Sequence, residues 1–218
     1  MRIGIISEGH ADRAVITNIL CGHIPMERGD IIALRPSLIT DETDKVHRAA
    51  ETFSSWTVVK TECEERQLVD AFLAFEGQDY IVIHIDTAEA DEYGVKRPEK
   101  TETYCEELYS LVRAEMDNWL GEEDSDNILY AIAIEEIEAW LLTMFVARDT
   151  AKIGDPKKQF DRLLGKYEID TTSNYENFLK IGKPLSKEKE IKKGKYLNYN
   201  CSLRAFFEEI DAKIISKI

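Results

Sequence analysis

The chain has 218 residues, of which 44% are hydrophobic and 32% charged, with a formal net charge of −14. That is enough for one domain of ordinary size with a real core, or a main domain with a small appendage. The acidic balance disfavours general adhesion to nucleic acid or anionic membrane, and no stretch of about 18 uncharged apolar residues is present to span a bilayer.

In chain order, short apolar runs alternate with longer amphipathic stretches over the first 135 residues, the pattern of α/β architecture. "RIGIIS" (2–7) reads as a buried strand, and "ADRAVITNILCGH" (11–23) as the helix after it. "DIIALRPS" (30–37) predicts a second strand ended near Pro36, "DKVHRAAETF" (44–53) a helix, and "WTVVK" (56–60) a short strand. "CEERQLVDAFLAFE" (63–76) predicts a helix with Leu68, Phe72 and Phe75 on one side. "DYIVIHID" (79–86) is the clearest strand, preceded by a turn signal at Gly77. After a polar loop, "TETYCEELYSLVRAEMDNWL" (101–120) predicts a long helix with Tyr104, Leu108, Leu111, Val112 and Trp119 on its apolar face. "DNILYAIAI" (126–134) is another strand, followed directly by a helix over 135–146.

The last third holds no convincing strand. It offers short helical pieces broken at glycines and prolines, then a terminal helix with Leu203, Phe206, Phe207, Ile210 and Ile214 on one stripe that docks on the core. The expected fold is a mostly parallel, Rossmann-like sheet flanked by helices over 1–150. A helical, lysine-rich extension over 151–218 packs on it.

Four scattered cysteines without a CxxC pair argue for a reducing cytoplasm and against a disulfide or zinc framework. The N-terminus reaches Glu8 too soon for a secretory apolar segment.

In open parallel sheets, ligands bind in the crevice outside the carboxyl ends of the strands. Here those ends carry acids: Glu8 after the first strand, Asp86 after the best one with Glu89 and Asp91 following, and Glu135, Glu136 and Glu138 after the later strand. Carboxylates gathered at one edge repel unless a cation or a shared proton neutralises them. Such an oxygen-rich set suits Mg²⁺ or Mn²⁺. Gly9 permits a tight strand-to-helix turn where a phosphate can approach the helix N-terminus. The alternative for Glu135, Glu136 and Glu138 is ordinary complementing of a helix dipole, and for Asp86 a cap or Asx turn. His10 is a proton shuttle, a phosphate donor or simply a solvent-facing loop residue. His84, on the same face of its strand as Asp86, reads as a hydrogen-bonded core histidine.

"SEGHAD" after the first strand, with "VIHIDTAEAD" and "EEIEAW" later, resembles the Toprim (topoisomerase–primase) family. The resemblance is nearest to small OLD-type and RloB-like bacterial proteins bearing EGxT[DE]. It implies a divalent-metal-dependent nuclease or related phosphodiester-processing enzyme, in settings such as bacterial defence or mobile elements. Glu8 matches the first-motif glutamate, as metal ligand and general acid/base, and Asp86 the first aspartate of the metal-binding pair. Glu138 or Glu135 matches the acid of the third segment. The chain departs from the pattern at Ala11, where the family has Thr, and at Ala88, where it has the second aspartate; Glu89 or Asp91 is then the substitute ligand. The other reading this leaves is a non-catalytic Toprim-like module that binds nucleic acid, a nucleotide or a partner protein.

Charge is unevenly spread. Residues 151–200 hold twelve Lys/Arg against seven Asp/Glu, so that stretch is +5 and the remainder −19. Within it, Lys187, Lys192 and Lys193 are candidate phosphate contacts along with Gly9 and His10; a solvated lysine-rich face explains them equally well. Nucleic acid is the expected partner, with a homodimer or a protein partner as the further option and no membrane.

Overall fold

The computed structural model describes residues 1–36, 55–121, 126–193 and 196–218, and leaves the side chains of Ser55, Glu188 and Lys192 undescribed. The helix expected over 44–53 lies outside these residues. The described residues contain four strands: β1 (Arg2–Ile6), β2 (Ile31–Arg35), β3 (Gln78–Asp86) and β4 (Ile128–Ala133). Among them run helices α1 (His10–His23), α2 (Ser55–Glu65), α3 (Gln67–Leu73), α4 (Tyr104–Leu120), α5 (Glu138–Leu142), α6 (Pro156–Gly165), α7 (Tyr175–Ile181), α8 (Glu188–Lys192) and α9 (Cys201–Lys213).

The strands pair all-parallel in the order β2-β1-β3-β4. Parallel strands need helical crossovers, so both faces are covered and the strands are apolar almost throughout. In β3, Tyr80 and Val82 join the cluster under α1, α5, α6, α7 and α9. The alternate residues Ile81, Ile83 and Ile85 join the cluster under α2, α3 and α4. The result is a helix–sheet–helix sandwich, with the C-terminal helices in the same apolar layer as α1: Leu203, Phe206, Phe207, Ile210 and Ile214 are all buried there. No helix among the described residues is long and apolar enough to cross a membrane.

Helix α9 also covers the edge strand. Glu209 accepts from the Tyr130 amide at 2.9 Å, Lys213 donates to the Ile128 carbonyl at 2.5 Å, and Ser202 Oγ accepts from the Ile134 amide at 3.3 Å. These bonds satisfy backbone groups that an exposed parallel edge would leave open.

Local readings differ at several points, each for a physical reason. Residues 56–60 are helical, not a strand, because Trp56, Val59 and Cys63 share one buried face at helical spacing, which outweighs the β-branched residues between them. The helix expected over 63–76 is interrupted at Arg66, whose φ of +57° is left-handed and whose guanidinium reaches the Leu120 carbonyl at 3.0 Å. Phe75 follows the end of α3 and is 65% exposed, so it shares no helical face with Phe72. On α4 the buried stripe runs through Tyr104, Leu108, Val112, Met116 and Trp119, which leaves Leu111 outside it. The helix expected from 135 starts at Glu138, because Glu135 is left-handed with φ +64°. Cys105 and Cys201 form a disulfide with Cα atoms 6.5 Å apart, which overturns the expectation of no disulfide framework; Cys21 and Cys63 are free. Residues 96 apart in sequence meet because α4 and α9 both begin beside the end of β4, a proximity that cysteine spacing cannot encode.

Candidate functional site

Strand β1 continues into β2 on one side of the sheet, and β3 lies on the other, so the chain reverses direction across the β1–β3 pair. A crevice opens at the carboxyl end of such a switch point because the flanking crossovers diverge there. Glu8, two residues past β1, and Asp86, the last residue of β3, stand on either side of it. Glu8 Oε1 accepts from the Asp86 amide at 2.6 Å. Tyr93 donates to the Asp86 carbonyl at 3.1 Å, fixing the backbone from the other side.

Helix α1 supplies Asp12. Its carboxylate caps the helix by accepting from the Gly9 amide at 2.7 Å, and it faces the ring of His84. His84 is fully buried on the α1 face of β3. Its Nε2 is 3.4 Å from Asp86 Oδ1 and its Nδ1 is 3.9 Å from Asp12 Oδ2. Among the described residues, neither ring nitrogen nor Asp86 Oδ1 has a hydrogen-bond partner, although all three atoms are buried. The expectation of a hydrogen-bonded core histidine therefore fails. The ring instead stands between two acids, with its edge toward Trp140 at 6.5 Å between centroids.

The third strand end divides its acids between two tasks. Glu135 accepts from Arg97 at 3.0 Å, Lys100 at 3.0 Å and Tyr104 at 3.0 Å. Burial alone pushes its carboxyl up, but the hydrogen bonds from Arg97 and Lys100 outweigh it and hold the group below the usual range. Arg97 also donates to the Thr87 and Ala88 carbonyls, and Thr87 Oγ1 accepts from the Glu135 amide at 2.8 Å, so this unit pins the β3 and β4 loops together. Glu138, by contrast, is buried at the start of α5. Burial, then Glu136 and Asp12, push its carboxyl up to about 7 against the pull of Lys157. Glu136 accepts from the Lys157 amide at 3.0 Å.

The same electrostatics joins the rest. Glu8 is raised to about 8, by burial first and then by Asp86, with His84 and the Asp86 amide opposing. Asp86 is raised well above the usual carboxylate range by burial, Asp12, Glu138, Glu136 and Glu89. Glu89 is half-buried and raised by burial and by Glu92. Three strand ends and the first turn of α1 thus gather Glu8, Asp12, Asp86 and Glu138 at one edge of the sheet.

Whether these residues suit a divalent ion can be judged on the same geometry. Clustered carboxylates with raised proton affinity, together with an Asp86 oxygen that finds no hydrogen-bond partner among the described residues, are the donor chemistry that a hard cation satisfies. They are not gathered into finished coordination: among the described residues, only Cys105, Glu106 and Cys201 place three ligand atoms within 4.8 Å of one another. The carboxylates of the recess must turn inward to share an ion.

Of the other expected residues, His10 opens α1 beside the recess, while the Gly9 amide is occupied by Asp12 rather than open to a phosphate. Lys187 and Lys193 lie elsewhere. α7 runs alongside α1 in the same direction, from Arg13 over the Tyr175 ring to Asn18 Nδ2 bonding the Leu179 carbonyl. The chain then crosses so close to Gly22 that a Cβ there would meet the Leu185 carbonyl at 2.3 Å. The lysine segment therefore lies by the C-terminal end of α1, about 20 Å along the helix from Glu8. The Lys192 side chain is outside the described set. Sequence reading took Asp12 only as a motif letter and His84 as core. The signal that flags both is the alternation that puts His84 with Asp86 on the face toward α1.

Comparisons with protein-family models, with curated proteins and with solved structures return no match for this chain.

Proposed function

We propose that this protein is a divalent-metal-dependent, phosphodiester-processing enzyme of Toprim-like type that acts on nucleic acid. The observation that carries the reading is the switch point between β1 and β3, where Glu8, Asp86 and Glu138 bring carboxyl groups together, each with its proton affinity raised by burial and by neighbouring acids. Asp86 and Glu8 are the residues to hold Mg²⁺ or Mn²⁺, with Glu138 and Glu89 completing the shell. Glu135 is left out of it, because Arg97 and Lys100 already neutralise it. When bound, such an ion stabilises the charge that develops on a phosphoryl oxygen. The Toprim-like reading also gives Glu8 the general acid/base role beside the ion. Asp12 and His84 orient the Asp86 carboxylate from beneath. The setting we assign is defence or mobile-element biology.

The test is Mn²⁺- or Mg²⁺-dependent cleavage of DNA and RNA by the wild type, Glu8→Ala and Asp86→Asn. The proposal expects at least a hundredfold loss in both variants. Equal activity in all three, or none in the wild type across substrates and metals, refutes it.

One observation favours a second reading, a binding module without catalysis: the exposed Ala88 stands at the position of the second family aspartate, and no three donors of the recess are within 4.8 Å. Calorimetric titration with Mn²⁺ separates the two. Saturable heat that Asp86→Asn abolishes supports the enzyme, and no heat up to millimolar metal supports the module.

A further inference from the structure

Beyond the acidic recess, a cavity with a strongly cationic rim lies between the end of α5 and α6. It encloses about 480 Å³, a volume within the range of ligand sites. Its floor is apolar, with Leu142 and Ile153 buried and Leu163 beside them. Its rim carries Arg148, Arg162 and Lys166, and no carboxylate lines it. Among the described residues none of these three cations forms an ion pair. Arg148 donates only to the neutral Gln159 side chain, at 3.0 Å. The neighbouring lysines of this segment are occupied differently: Lys152 pairs with Asp149 and Lys158 with Asp155. On a chain of net charge −14, three adjacent unpaired cations around an apolar floor are a local reversal of sign.

Two exposed aromatic rings adjoin it in the chain. Phe145 precedes the lining residue Val146 and is 40% exposed, and Tyr167 follows Lys166 and is 67% exposed. Phe145 packs one side against the buried Phe160, ring centroids 6.5 Å apart, and leaves the rest of its ring exposed. Cations that follow a backbone, interleaved with rings on which bases stack, are the chemistry of unpaired nucleic acid.

The cavity shares helices α5 and α6 with the residues around Glu138. Glu138 opens α5 and Leu142 closes it, about 6 Å further along. Lys157, whose amide bonds Glu136 and whose charge acts on Glu138, opens α6, and Arg162 and Lys166 follow at its other end.

We infer that the α5–α6 groove is a binding track for single-stranded nucleic acid, whose phosphates meet Arg148, Arg162 and Lys166 and whose bases stack at Phe145 and Tyr167. This deepens the proposed function, on which it rests for the strand's destination, by assigning the substrate as an unpaired strand that enters the recess along α6.

The experiment measures fluorescence anisotropy of a labelled 12-nucleotide single-stranded DNA with the full chain in EDTA, so that binding is read without cleavage. The proposal expects saturable binding, at least tenfold weaker in Arg162→Glu/Lys166→Glu, with the slope of log affinity against log salt reduced by about 1.4 for two lost phosphate contacts. Tyr167→Ala, an exposed change that does not threaten folding, should weaken binding about fivefold or more. Unchanged affinity in both variants overturns the inference. So does equal affinity for a 12-base-pair duplex, or complete competition by an equimolar mononucleotide, which would make the cavity a nucleotide site. Retained binding with no cleavage at any metal defeats the enzyme reading alone. Cleavage with affinity indifferent to Arg162, Lys166 and Tyr167 defeats the track alone.

Discussion

Glu8 and Glu135 are both glutamates just past strand ends, and they titrate in opposite directions. Burial first, and then the neighbouring Asp86, raise the folded pKa of Glu8 from 4.5 to about 8. Its favourable contribution is fully present below its unfolded value and is lost as pH rises through about 8. Metal-free protein should therefore lose stability steadily between pH 5 and 8 in denaturant titrations, and Glu8→Gln should flatten that profile. A wild-type profile already flat over this window would show that burial does not hold the proton on Glu8. Glu135 is depressed by Arg97 and Lys100, so its contribution is present above pH 4.5 and disappears on acidification. Glu135→Gln should then destabilise at pH 7 and leave Mn²⁺ affinity unchanged within a factor of two by calorimetry. A tenfold loss of metal affinity would return Glu135 to the ligand shell.

At the scale of elements, α9 carries more than the apolar stripe that its sequence advertises. Glu209 accepts from Arg113 at 3.1 Å, Lys213 at 2.9 Å and the Tyr130 amide, all in a buried setting. Removing one member of a buried charge network strands the others, so Glu209→Ala should cost about 3–5 kcal/mol in urea unfolding. A cost under about 1 kcal/mol would mean that water replaces the carboxylate at the sheet edge. The Cys105–Cys201 bond closes a 96-residue separation between the starts of α4 and α9. Cys201→Ser should lower stability by about 2–5 kcal/mol, with two thiols titratable in the denatured, unreduced wild type. Four titratable thiols would show that the pair is reduced in solution. That covering of the β4 edge was only half legible: spacing marked which face of α9 is apolar, whereas the pairing of Glu209 with Arg113 and Tyr130 depends on which strand the helix meets.

For the whole molecule, the proposed ion links the recess to global stability. Three crossovers converge on the switch point, and mutual repulsion among Glu8, Asp12, Asp86 and Glu138 opposes their closure. An ion bound only by the folded state stabilises it by about 2.7 kcal/mol at one hundred times its dissociation constant. Thermal unfolding at pH 7.5 should therefore shift upward with Mn²⁺ concentration, and Asp86→Asn should abolish the shift while raising the melting temperature in EDTA. A melting temperature indifferent to Mn²⁺ would remove the ion from the molecule's energetics.

The sequence by itself determined the alternation of strands and helices, the parallel sheet that follows from long crossovers, and the delivery of acids to one edge. Each of these depends on periodicity and chain order, which are local. Tertiary structure alone decided the partners: that Glu135 meets Arg97 and Lys100 while Glu138 meets none so close, that Asp12 faces His84, that the lysines of 187–193 lie at the far end of α1, and that Cys105 reaches Cys201. A carboxylate's role depends on the charge and water within a few ångströms of it. Those surroundings are assembled from residues tens of positions apart, which no spacing along the chain records.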